Sequence, residues 1–184
     1  YLVGTGSRPL LIDPGSGHAG YLPLLEQALA SDFAGVAPAE ILVTHVHPDH
    51  IGGVAEVLGR FGPLRVSKRP WPGKDERFGL ALTPIRSGDV FRSEGATLRA
   101  IHTPGHAEDH ICFYLEEERA LFTGDVVLGG STTVIPEEDG DLAQYMASLR
   151  RLQKLNVVFQ NLQKQPITMP MVLSGFAEAY QKVR

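Results

Sequence analysis

Apolar and polar positions along the chain change period several times, and each change marks an element. Residues 1–4 and 10–13 are short apolar runs separated by Thr5-Gly6-Ser7-Arg8-Pro9 and closed by Pro14-Gly15, which predicts a hairpin of two buried strands. Between residues 21 and 31, Leu22, Leu25, Ala28 and Leu29 recur at helical spacing. The run Ile41-Leu42-Val43-Thr44 predicts a buried strand, and residues 51–58 return to a helical pattern. Residues 45–50 therefore fall in a strand-to-helix loop, where a rigid sheet can aim several side chains at one point. A Pro-rich and basic linker spans residues 63–73, and beyond it residues 89–91, 97–103, 111–115 and 120–123 alternate with turn signals as a β-meander. Asp141 stands before Leu142, Tyr145, Met146, Leu149 and Leu152, an N-cap and an apolar stripe that predict a helix to residue 155. Residues 157–159 suit one more strand, residues 160–170 show no period, and residues 176–183 are weakly helical. Strands mixed with helices in this way imply the α/β or α+β class.

Length and composition narrow this little. The 184 residues suit one layered domain, and 43% apolar with 21% charged residues is ordinary globular usage that excludes collagen-like, coiled-coil and disordered classes. No apolar run approaches the ~18 residues that suggest a membrane span, so no membrane partner is expected. The chain opens at Tyr1 inside an apolar run and reads as a fragment of a longer product. The single cysteine, Cys112, excludes an internal disulfide framework and fits a reducing compartment. Net charge is -4, yet residues 60–77 hold six basic against two acidic side chains, and residues 150–184 hold six against one. Such runs can bind phosphate, but the favoured reading is a solvated face.

Chemistry concentrates at His45-Val46-His47-Pro48-Asp49-His50. Along an extended segment residues 45 and 47 point to the same side, which suits two imidazoles holding a divalent metal, while Asp49 and His50 are available to a second one. Histidines so close together for unrelated reasons are disfavoured, because their protonated forms repel. Further on, Thr103-Pro104-Gly105-His106 and Phe122-Thr123-Gly124-Asp125 each place a metal-binding side chain directly after a predicted strand. His110 follows His106 by four residues, while His18 and His102 match no metal spacing and read as loop and strand residues.

The order HxHxDH, TPGH, TGD resembles the metallo-β-lactamase superfamily over residues 1–159. Within it, Tyr1-Leu2-Val3-Gly4-Thr5-Gly6, Glu94-Gly95-Ala96-Thr97-Leu98-Arg99, Leu115-Glu116-Glu117-Glu118 and Thr132-Thr133-Val134 are similar to the family of endoribonuclease β-lactamase-like protein 2, which cleaves single-stranded RNA in mitochondria. The resemblance implies a four-layer αββα sandwich with its metal site at one edge. It implies that His45, His47 and His106 hold a first zinc, that Asp49 and His50 hold a second, and that Asp125 bridges them. Asp49 is also the expected catalytic group, orienting the nucleophile or shuttling a proton. Asp13 reads equally as an acceptor behind a ligand imidazole or as a turn residue before Pro14, and His110 equally as support for the site or as a strand-start histidine.

The pattern breaks near the C-terminus. The family carries a further histidine ligand in a Pro-Gly-His-Gly segment after a strand, whereas here Gln160-Asn161-Leu162-Gln163 follows residues 156–159 and no histidine occurs after His110. The second zinc is therefore expected to be weak or missing, and residues 160–184 to form a divergent tail after a domain of residues 1–159. The leading expectation is a zinc endoribonuclease acting on single-stranded RNA in the mitochondrial matrix, with the cytoplasm as the alternative location. The rivals are a glyoxalase II-like thioesterase, since the same activated water attacks a thioester carbonyl, and an inactive isoform binding one metal. Histidine and aspartate also accept manganese or iron, so zinc rests on the resemblance alone.

Overall fold

The computed structural model describes residues 1–34, 37–129 and 131–153. Strand β1 (Leu2–Val3) pairs antiparallel with β2 (Leu10–Ile12), as the two apolar runs predict. From β2 the sheet continues in parallel through β3 (Glu40–Val43), β4 (Arg65–Lys68) and β5 (Leu82–Pro84), in that spatial order. Parallel neighbours need crossovers. Helix α1 (Tyr21–Asp32) joins β2 to β3, and the helices α2 (Pro48–Ile51) and α3 (Val54–Phe61) join β3 to β4. The second sheet is an antiparallel meander of β6 (Val90–Ser93), β7 (Ala96–His102), β8 (Ile111–Leu115) and β9 (Ala120–Phe122). Helix α4 (Leu142–Gln153) follows, its first turn capped where the Asp141 carboxylate accepts the Gln144 N–H at 2.9 Å.

Side-chain alternation sorts the core into layers. Leu10, Ile12 and Leu42 face Leu98, Ile111, Phe113 and Leu115 across the interior between the two sheets. Their neighbours Leu11, Ile41 and Val43 point the other way, against Leu25 and Leu29 of α1 and Val54 and Val57 of α3. On the far side of the second sheet, Ile101 and Cys112 pack on Leu149 and Leu152 of α4. Helix, sheet, sheet, helix is thus the layer order, the αββα sandwich expected from the sequence.

Three local expectations change. The linker over residues 63–73 contains β4, an interior strand, and β5 is a further unexpected strand. The strand was hidden because β4 is buried on both faces and its buried residues include Ser67 and Lys68, both about 1% exposed, rather than apolar residues alone. Lys68 is the exception to the solvated-face reading of the basic run, in which Arg60, Arg65 and Arg77 are exposed. Its ammonium pairs by charge with Asp75 and Asp109, at 2.6 Å from each, and donates a hydrogen bond to the Arg69 carbonyl at 2.7 Å. Finally, helix begins at Pro48 rather than at residue 51, because proline is preorganised for a first helical turn and the His47 carbonyl accepts from His50 and Ile51. The strand at 157–159, the end of the helix at 155, the helical segment at 176–183 and the boundary at 159 lie outside the described residues. No helix among the described residues is long and apolar enough to cross a membrane.

Candidate metal centre

The C-terminal ends of β3, β7 and β9 reach the same edge of the sandwich, and the Ile111 N–H donating to the Thr44 carbonyl at 2.8 Å ties the two sheets there. Beyond β3 the chain bends at Thr44 and Val46 and is extended at His47, and the His45 and His47 rings meet before the helix begins. The turn after β7 delivers His106. It depends on Gly105, whose φ of +132° is open to glycine and whose missing Cβ lets the backbone of Tyr145 in α4 lie directly against it. The short 3-10 turn Gly124–Val126 after β9 delivers Asp125.

His45 Nε2 and His106 Nε2 lie 3.0 and 2.9 Å from His47 Nδ1. Each ring has its other nitrogen engaged by an acceptor. His106 Nδ1 donates to the Val134 carbonyl at 2.7 Å, and His47 Nε2 donates to Asp139 at 3.2 Å. The Thr44 hydroxyl gives its one proton to Asp13 at 2.7 Å and so accepts from His45 Nδ1 at 2.9 Å. Three nitrogen lone pairs are therefore turned toward one another with no proton between them. A cation relieves that arrangement, and separations near 3 Å are close to the edge of a tetrahedron built from ~2.0–2.1 Å metal–nitrogen bonds. The donor set fits a divalent metal. Burial, together with the neighbouring imidazoles, holds His45 well below its ordinary pKa, and burial lowers His106 despite the Val134 carbonyl, so both rings stay neutral and free to ligate.

A second group comprises His45, His50 and Asp125. Burial disfavours the His50 cation, but hydrogen bonds to Asp125 and Asp13 outweigh it and lift the ring to about 10. His50 Nε2 lies 3.1 Å from one Asp125 oxygen, and the other Asp125 oxygen lies 3.5 Å from His106 Nε2, so Asp125 stands between the two groups. His45 has only one nitrogen left and cannot complete both groups. Asp49 is 70% exposed, lies 3.6 Å from His50 Nε2 and belongs to neither group. With His45 in the three-imidazole set, the second group keeps His50 and Asp125.

The supporting residues resolve two open readings. Asp13, with φ +47°, accepts from the Thr44 N–H and hydroxyl and from His50 Nδ1 at 2.8 Å, so it fixes the strand end and the His50 ring together. His110 is fully buried and held neutral by that burial. Its Nε2 accepts the Asp125 N–H at 3.1 Å while Nδ1 donates to Thr103, which makes it a support for Asp125. His18 caps the Gly20 N–H in an exposed loop, and His102 bonds the Glu108 carbonyl. Sequence reasoning missed Asp139 behind His47, Val134 behind His106 and the Lys68 cluster. Backbone carbonyls and ion pairs between distant loops leave no periodic or spacing signal.

Among curated proteins the chain is 44% identical over 156 residues to the atrochrysone carboxyl ACP thioesterase of Aspergillus fumigatus, covering 84% of this chain and 34% of that protein. It is also 44% identical over 156 residues to the lactamase-like protein adaB of Aspergillus niger, covering 85% of this chain and 46% of that protein. The chain thus spans less than half the length of these relatives. Their names do not support the endoribonuclease branch that the segment resemblance implied. Among solved structures, the protein TTHA1623, determined in a di-iron-bound form, superposes with a TM-score of 0.67 at 34% identity, over 84% of this chain and 80% of that one. The layer order and the histidines converging at the sandwich edge agree with the family match over residues 1–159, and this chain belongs to the metallo-β-lactamase superfamily.

Proposed function

We propose that this chain is a metal-dependent thioesterase, hydrolysing an acyl group held in thioester linkage to an acyl carrier protein. The observation that carries the metal dependence is the convergence of three unprotonated nitrogens from His45, His47 and His106. The substrate class rests on the thioesterase name of a relative 44% identical over 84% of this chain. A bound divalent metal supplies hydroxide near neutral pH by lowering the pKa of water towards ~7, and polarises a carbonyl oxygen. In the reaction water oxygen joins the acyl carbon, the carbon–sulfur bond breaks, and the thiol leaves with a proton.

The chain's own groups have separable roles. Asp125, held by His110 through its backbone N–H, presents its carboxylate between His50 and His106. Asp49, 70% exposed and 3.6 Å from His50 Nε2, is our candidate for orienting the water and accepting its proton. Zinc and iron both suit these donors. The test is turnover of an acyl-pantetheine thioester beside cleavage of a single-stranded RNA oligonucleotide, each repeated with His47→Ala and after chelation. Thioester hydrolysis lost on both treatments is expected. RNA cleavage without thioester turnover moves the assignment to the nuclease branch, and absence of both activities from a metal-loaded chain overturns the enzyme reading.

A further inference from the structure

Behind the metal-facing side of His47 runs a second line of contacts that the reaction itself does not use. His47 Nε2 lies 3.2 Å from Asp139 Oδ2, and Asp139 Oδ1 lies 2.6 Å from Lys74 Nζ. Lys74 comes from the segment between β4 and β5, and Asp139 from the segment between β9 and α4, so the contact joins two loops beside His47. The side chains of Asp139 and His47 are each 16% exposed, and that of Lys74 31%, so the pair is largely shielded from the solvent that weakens surface ion pairs. Lys74 also lies 5.5 Å over the Trp71 ring, which limits where its ammonium can go.

We propose that Asp139, clamped by Lys74, is a positioning residue that locks His47 in the tautomer and ring orientation presenting Nδ1 to the metal. His45 and His106 are anchored by a hydroxyl and a backbone carbonyl, both neutral acceptors. His47 alone of the three has a carboxylate behind it, and a carboxylate raises the basicity of the imidazole it holds. The carboxylate must also be kept from turning into the site as a ligand itself, and the Lys74 contact to its second oxygen prevents that rotation.

The inference rests on the metal site proposed above, so the experiment separates the two. Dissociation constants for Zn(II) and Co(II) are measured by chelator competition for the unaltered chain, Asp139→Asn, Asp139→Ala, Lys74→Met and the double variant Asp139→Asn with Lys74→Met. The Co(II) visible spectrum and the melting temperature of the metal-free protein are recorded for each. Asp139→Asn is expected to weaken binding roughly 10- to 100-fold, with an altered Co(II) spectrum. Lys74→Met is expected to weaken it less, and to add nothing in the Asp139→Asn background, because it acts through that carboxylate. Unchanged affinity and spectrum in both Asp139 variants overturn the inference, whether or not the metal-free melting temperature falls. Failure of the unaltered chain to bind either metal overturns the site reading and the inference with it.

Discussion

Replacing Lys68 by Met tests whether a buried charge cluster holds the two loops beside the metal centre. The side chains of Lys68 and Asp109 are 0% exposed and that of Asp75 16%, and the Lys68 ammonium lies 2.6 Å from each carboxylate. Met fills similar volume but leaves two carboxylates facing each other without a cation. Removing one partner of a buried pair costs about 3–5 kcal/mol. For a chain of this size about 2–4 °C of melting temperature follows each kcal/mol, so a fall of roughly 6–20 °C is expected. The pH dependence carries the sign. Burial already pushes Asp109 above its ordinary value, with Lys68 pulling it back, so loss of Lys68 raises it further. A carboxylate with a raised folded pKa has its full stability below the unfolded value of 3.8 and loses it as pH rises through the folded value. The deficit of Lys68→Met relative to the unaltered chain should therefore be small near pH 4 and grow through the range above it. Urea unfolding of both proteins at pH 4.5 and pH 8 measures it. Equal stability at pH 8, or a deficit that does not shrink in acid, refutes the argument. Restored stability on also changing Asp75 and Asp109 to Leu would identify the stranded carboxylates as the cause.

Two further outcomes follow from the site's construction. Gly105→Ala should cost at least about 2 kcal/mol, from the positive φ and the collision with Tyr145, and should lower metal content because His106 moves with it. Gly59→Ala in α3, where an added Cβ meets open space, should stabilise by about 0.5–1 kcal/mol, and calorimetry showing the same sign for both would sink the account. Chelation should lower the melting temperature and free metal restore it, with a gain of about 2.7 kcal/mol at a hundred times the dissociation constant. A melting temperature indifferent to both treatments would count against ligation by His45, His47 and His106.

The sequence by itself determined the layered class and where chemistry resides. Period-two and helical patterns are local properties of the chain, so the β1–β2 hairpin, the β6–β9 meander and α4 could be read from residues a few positions apart. The same holds for His45, His47 and His50, whose spacing alone marks a metal loop. Tertiary structure decided what depends on long-range contact. It made Lys68 an interior residue by supplying Asp75 and Asp109, in a basic linker that holds an interior strand. It chose support over a turn or strand role for Asp13 and His110, and set Asp139 and Lys74 behind His47. Hydrogen bonds and ion pairs reward proximity in space, and no local pattern records which distant side chain will supply the partner.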